Sequence, residues 1–139
     1  MSESLDEKSD RLYREQGAAR AGSCPFCAIV AGLAPVTLVH AWPDALAFVP
    51  LNPVVEGHTL VVPKLHVQDF ASDPETSAMT MRRAAELMRW TPRAMNVITS
   101  KGRAATQSVF HLHLHLVPRV EDDGLALPWY SGKHRKREV

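Results

Sequence analysis

The sequence FHLHLHLVP at residues 110–118 alternates three of the chain's seven histidines with bulky apolar residues. Successive side chains of a β-strand point to opposite faces, so His111, His113 and His115 should share one face and the apolar residues the other. Histidine is seldom fully buried, and each ring nitrogen on a buried face needs a hydrogen-bond partner. The pattern therefore favours a strand with a functional face over three histidines that serve only in packing.

A single metal ion bound by all three histidines is disfavoured by distance. At a rise of about 3.3 Å per residue, His111 and His115 lie about 13 Å apart along a strand, whereas zinc ligands lie about 2 Å from the ion. No carboxylate or fourth ligand lies at a suitable spacing either, which makes a zinc hydrolase centred on the triad the weakest of the hypotheses considered. We therefore expect the three histidines to have different roles.

Length and charge favour a small domain that acts on a small molecule. The chain has 139 residues, 45% of them hydrophobic, and a net charge of +1, which suits one domain with a real core. The balanced charge gives no argument for a nucleic acid or an anionic membrane as a partner. The N-terminus has no apolar signal segment, and no stretch approaches the ~20 apolar residues that span a bilayer. We therefore expect a cytoplasmic protein.

Cys24 and Cys27 are the two cysteines of the chain and form a Cys-x-x-Cys motif. Such a motif is compatible with a redox pair or with half of a zinc site. A thioredoxin-like pair would lie at a strand-to-helix junction, whereas this one precedes a short helical segment in a histidine-rich chain. Zinc is therefore favoured, and its remaining two ligands must come from elsewhere because structural zinc is tetrahedral.

Hydrophobic patterns predict an α+β fold: an antiparallel sheet of about five strands, one long helix on a face of the sheet and a short N-terminal helix. In the long helix Ala78, Met81, Ala85 and Met88 recur at helical spacing, so this stripe is expected to face the core. The predicted strands cover residues 36–40, 45–49, 59–63, 94–99 and 109–117, and the helices cover 27–32 and 74–90.

The ends of the chain differ in character from its centre. Residues 1–22 are polar with mixed charge, so we expect a flexible extension that is mobile or weakly helical. Residues 23–132 form the predicted domain. Residues 133–139 form a short basic tail, which favours solvated surface over contact with nucleic acid.

Three further motifs make the chain recognisable. They are CPFCAIVAG at residues 24–32, NPVVEGHTLVVPKLH at residues 52–66 and QSVF at residues 107–110. Together with the alternating histidines, and in the same order and spacing, they resemble the histidine triad (HIT) superfamily of nucleotide hydrolases and transferases. The Cys-x-x-Cys motif and the Gln107-Ser108 pair resemble its Hint-like branch. The resemblance covers roughly residues 22 to 130 and implies the HIT-like fold.

The resemblance also implies an activity and an assignment of the catalytic residues. His113 would attack the α-phosphorus of a nucleoside 5'-phosphoramidate or a related nucleotidyl conjugate, and water would hydrolyse the nucleotidyl-histidine. His115 would stabilise the developing charge, and Ser108 would meet the leaving group. The alternative is a non-catalytic HIT module that binds a nucleotide or a protein partner.

By the same resemblance, the remaining site residues fall into two groups. Substrate contacts would come from Phe48, Leu51, Asn52, His58, Ser100 and Gln107. A structural zinc ion would be held by Cys24, Cys27, His66 and His111. Members of the family are usually two-fold homodimers paired through the long helix and a strand edge, so a homodimer is expected here.

The chain departs from the family pattern in the nucleoside-binding part of the site. Pro50 stands where the family has an acidic residue that grips the ribose hydroxyls, so a bidentate ribose contact cannot form. Ser100 stands where an asparagine is usual, followed by Lys101, and Thr106 replaces a frequent glycine. A preference for adenosine is therefore not carried over, and the non-catalytic alternative stays open.

Overall fold

The computed structural model describes residues 2–128, which form three α-helices and one antiparallel sheet of five strands in the order β1-β2-β3-β5-β4. This confirms the predicted α+β class. The elements are α1 (Leu5–Arg20), α2 (Pro25–Val30), β1 (Leu38–Ala41), β2 (Ala45–Phe48), β3 (Thr59–Pro63), α3 (Pro74–Arg89), β4 (Ala94–Ile98) and β5 (Leu114–Arg119). Within residues 2–128, no helix combines the length and the apolar composition needed to cross a membrane.

The alternation of side chains along the central strands divides the core between the two faces of the sheet. On one face, Phe26 and Val30 of α2 pack with alternate residues of β2 and β3, including Phe48 and Val62. On the other face, Ala84 of α3 packs with the intervening residues and with three leucines from the histidine-rich stretch, Leu112, Leu114 and Leu116. The histidines are thereby directed to the α2 face.

The long helix is present, but most of the predicted core stripe is wrong, since only Met88 of its four residues packs against the core. Ala78, Met81 and Ala85 are exposed, whereas Thr80 and Ala84 are buried. A threonine can replace an apolar residue at this position because its hydroxyl donates to the carbonyl of Thr76, one turn earlier, at 2.7 Å. The polar atom is satisfied within the helix, so burial leaves no orphaned donor.

Strand β5 begins at Leu114, five residues later than the predicted start at residue 109. The ladder with β3 stops because Pro63 has no N–H group to donate and because its carbonyl accepts a hydrogen bond from the ring of His111 at 2.8 Å. His111 and His113 therefore lie in an irregular segment just before the strand. The alternation of side chains nevertheless continues through His113, since the two leucines that flank it, Leu112 and Leu114, both pack beneath α3.

Helix α2 begins two residues earlier than predicted and carries the two cysteines at its start. Cys24 is the N-cap residue, its Sγ accepts from the N–H of Cys27 at 3.3 Å, and Pro25 occupies the first turn. The chain leaves the helix through Gly32, whose φ of 75° is in the left-handed region that favours glycine.

The structure differs most from expectation at the N-terminus, where α1 occupies most of the segment predicted to be a mobile or weakly helical extension. Ser4 and Glu7 form a capping box that satisfies two backbone N–H groups at the start of the helix. Gly17 is buried against α2, where a Cβ atom would lie 2.6 Å from the carbonyl oxygen of Cys27. The predicted domain limit at residue 132 and the basic tail at residues 133–139 lie outside the described residues.

Candidate functional site

Four side chains from three parts of the chain converge beside the first turn of α2: Cys24, Cys27, His66 and His111. Their ligand atoms all lie within 4.8 Å of one another. The two histidine Nδ1 atoms are 3.1 Å apart, and Cys27 Sγ is 3.2 Å and 3.5 Å from them. Ligand atoms around a tetrahedral zinc ion are separated by roughly 3.3–3.8 Å, given bond lengths of about 2.0–2.3 Å. The four residues therefore fit a metal ion with small adjustments.

The chemistry of the donors also suits a metal. The ring of His111 is fully buried and its Nε2 lies 2.8 Å from the carbonyl oxygen of Pro63, which can only accept, so the proton belongs on Nε2 and Nδ1 is free to ligate. Burial lowers the pKa of His111 to about 4, which keeps the ring neutral. Burial and the adjacent Cys24 raise the pKa of the Cys27 thiol to about 12, so a metal would have to displace that proton.

His113 is oriented by the backbone rather than by a metal. Its Nδ1 lies 2.8 Å from the carbonyl oxygen of His111, so Nδ1 donates and Nε2 keeps its lone pair. The ring of Phe26 contacts it edge-on, with 5.1 Å between the ring centroids. Burial lowers the pKa of His113, which favours the neutral imidazole. The result is an uncharged ring with one nitrogen available for attack.

His115 is oriented by a short chain of hydrogen bonds that starts at a backbone amide. The N–H of Val54 donates to His58 Nδ1 at 3.1 Å, so the proton of a neutral His58 must be on Nε2. That nitrogen is 3.0 Å from His115 Nδ1, which therefore accepts and leaves an N–H on its own Nε2. Burial lowers the pKa of His58, and burial with the neighbouring histidines lowers that of His115 to about 4. Both rings are thus neutral.

Two cavities meet at His113 and His115. The larger has a volume of about 810 Å³ and the smaller about 290 Å³. The site residues predicted from sequence are divided between them. The larger cavity is lined by Phe48, Leu51, Asn52 and Ser108, and the smaller by His58, Ser100 and Gln107.

Two of these residues have surroundings that sequence could not reveal. Leu51 is 97% exposed and forms part of the rim of the larger cavity rather than its interior. Gln107 is buried, and its side chain is committed to the backbone: Oε1 accepts from Gly102 N–H, and Nε2 donates to the carbonyls of Gln68 and Val109. Gln107 therefore joins three loop segments that shape the smaller cavity.

The larger cavity has a mostly apolar lining at the position where the chain departs from the family pattern. Pro50 contributes to its wall, and no aspartate or glutamate lines it among residues 2–128. Sequence reasoning missed Phe26, which lies in the wall and supports His113, although its place between the two cysteines was a usable signal. It also missed Val54, whose backbone role leaves no trace in the side-chain pattern.

Comparison with known proteins agrees with this fold. The HIT domain family model matches residues 32–122, and an uncharacterized HIT-like protein of Methanocaldococcus jannaschii is 36% identical over 106 residues, 73% of this chain and 82% of that protein. An α+β fold with histidines on one face of its sheet is thus the architecture of a known class of proteins. The chain belongs to the HIT family.

Two other similar proteins are relevant to the chemistry of the candidate site. The adenosine 5'-monophosphoramidase of Saccharomyces cerevisiae is 34% identical over 112 residues, 77% of this chain and 70% of that enzyme. A zinc-bound histidine triad family protein of Mycobacterium smegmatis has a crystal structure that matches with a TM-score of 0.67 at 34% identity, over 76% of this chain and 81% of that one.

Proposed function

We propose that this protein is a hydrolase of nucleoside 5'-phosphoramidates or related nucleotidyl conjugates. In the first step His113 Nε2 bonds to the α-phosphorus, the bond from phosphorus to the leaving nitrogen breaks, and the amine departs with a proton. In the second step water attacks the phosphorus, the bond to His113 breaks, the proton that water loses replaces the one taken by the amine, and a nucleoside monophosphate and the free histidine result. The yeast relative is named for a reaction of this class.

The single observation that carries the proposal is the orientation of His113. Its hydrogen bond to the His111 carbonyl leaves the Nε2 lone pair as the reactive position, and the ring borders both cavities. A nucleoside could occupy the larger cavity, with its phosphorus beside His113 where the two cavities meet and its leaving group within reach of Ser108. A neutral, positioned imidazole at that point has the properties of a nucleophile that can also leave.

His115 and Ser108 supply the supporting groups. The Nε2–H of His115, set by the hydrogen bond to His58, is a donor for a phosphate oxygen as negative charge develops. Ser108 lines the same cavity as His113, and its hydroxyl is suited to passing a proton to the leaving amine.

We also propose that the metal is zinc and that Cys24, Cys27, His66 and His111 hold it. Four protein ligands close the coordination shell of zinc, and closed sites are structural, whereas catalytic sites keep a position open for water. The bound ion would tie α2 to the histidine-rich segment, and His113 would remain free for the reaction.

A panel of nucleotide phosphoramidates, assayed with and without a chelator, tests this function. We expect turnover by the wild-type protein, and none by His113→Asn at unchanged metal content and melting temperature. Label from an α-labelled nucleotide should be trapped on the wild-type chain and not on the variant, with an alkaline quench because phosphohistidine is acid-labile. Full activity of His113→Asn would refute the nucleophile.

The alternative, a non-catalytic nucleotide-binding or partner-binding module, rests on Pro50 in the wall of the larger cavity. It would be favoured if the wild-type protein bound nucleotides but released no amine from any member of the panel.

We further propose a homodimer, since the exposed Met81 of α3 and Val97 and Ile98 of edge strand β4 are available to pair. Light scattering that gives the mass of one chain would contradict it.

A further inference from the structure

Helix α1 contacts the backbone of three of the four candidate metal ligands. The carbonyl oxygen of Arg20 accepts from the N–H of Cys24 at 2.9 Å. The side-chain Oε1 of Gln16 accepts from the N–H of His66, also at 2.9 Å. Gly17 packs against the carbonyl of Cys27 so closely that a single added Cβ atom would be 2.6 Å from it.

Few other contacts are available to hold α1 in this place. Tyr13 packs against the core on the α2 side, but Leu5 and Leu12 are 83% and 47% exposed. The ion pair between Lys64 and Asp10 spans 3.6 Å, and Asp10 is half-exposed, so its contribution is small. The position of α1 therefore depends more on its contacts with the backbone of the candidate metal ligands than on buried apolar surface.

We infer that α1 is a clasp on the metal centre and that its docking and metal binding are thermodynamically coupled. Gln16 is the positioning residue of this clasp, because its carboxamide holds the segment that presents His66. Docked α1 preorganises three ligands and raises affinity for the metal. By reciprocity, the bound metal must stabilise the docking of α1 by the same factor. The inference rests on the zinc site proposed above.

Zinc affinity of the full-length protein, measured by competition with a chromophoric chelator, tests the first half of this coupling. Gln16→Leu keeps the size of the side chain but removes the acceptor, and we expect it to raise the Kd for zinc about tenfold, at the low end of effects seen for groups that orient metal ligands. Gln16→Glu retains an acceptor and should restore most of the affinity. Glu15→Leu is the matched control on the exposed side of α1, where it breaks only the pair with Arg11.

Hydrogen exchange of the α1 amides, with and without zinc, tests the second half. In the wild-type protein zinc should slow exchange in α1 at least tenfold, and Gln16→Leu should reduce this protection. If the contact of Gln16 with His66 were purely structural, Gln16→Leu would leave the zinc-dependent slowing of α1 exchange unchanged. The inference is overturned if Gln16→Leu binds zinc as well as wild type, if Glu15→Leu weakens it equally, or if zinc leaves α1 exchange unaltered. A chain that binds no zinc would overturn both this inference and the proposed zinc site, whereas the other outcomes refute the clasp alone.

Discussion

The hydrogen-bond chain from Val54 through His58 to His115 predicts that His58 acts on catalysis through His115. Removal of one donor to a developing charge costs about 10²–10³ in rate, so His115→Ala should lose at least about a hundredfold in kcat/KM. His58→Ala leaves that donor in place but removes the hydrogen bond that fixes its tautomer. One such bond contributes about 0.5–1.5 kcal/mol, which corresponds to a loss of about twofold to tenfold.

The double variant distinguishes action through His115 from independent action. If His58 serves only to orient His115, the double variant should be no slower than His115→Ala, because there is no ring left to orient. If the two act independently, the losses should multiply, so the double variant should be about two- to tenfold slower than His115→Ala. The assay is steady-state kcat/KM on the best phosphoramidate of the panel, with metal content as the control. Multiplied losses would refute the reasoning from the Val54 contact.

Three further predictions concern the metal, the sugar and pH. Freshly purified protein should contain one zinc per chain, and its removal should lower the melting temperature, since binding free energy is coupled to folding; protein without zinc in elemental analysis would contradict this. With Pro50 in the cavity wall and no carboxylate there, kcat/KM should differ little between matched ribo- and deoxyribo-substrates, and a hundredfold preference for ribose would show that another group makes the contact. Burial holds the pKa of His58 and His115 below the ordinary value, to about 4 for His115, so the unfolded chain binds protons first and the free energy of unfolding should fall as pH is lowered from about 6.5 to 4; urea titrations across this range would detect the opposite trend.

Much of the sheet could be predicted because its strands have local patterns that match their burial. Thr59–Pro63 is an apolar run that ends at a proline, and the predicted limits agree with the structure. Most of the predicted core stripe of α3 was wrong because periodicity scores a threonine as polar, whereas Thr80 satisfies its hydroxyl on the preceding turn and becomes fully buried. The docking of helix α1, where a mobile or weakly helical segment was expected, was not predicted for a related reason. Its packing depends on a glycine and on backbone contacts, which hydropathy does not register.

The candidate site, like the fold, could be predicted from sequence only in part. Sequence alone determined which residue types are present, their order, and the alternation that directs His111, His113 and His115 away from the leucines, because a two-residue period is a local property of extended chain. Only the tertiary structure decided which partner each histidine contacts. His111 turns to the cysteines, His113 donates to a backbone carbonyl, and His115 accepts a hydrogen bond from His58, which is 57 residues away in the chain. The partners of His111 and His115 come from β3, α2 and the loop before β3, so they are in place only once those elements have packed together, whereas His113 bonds to the carbonyl of His111 within its own segment.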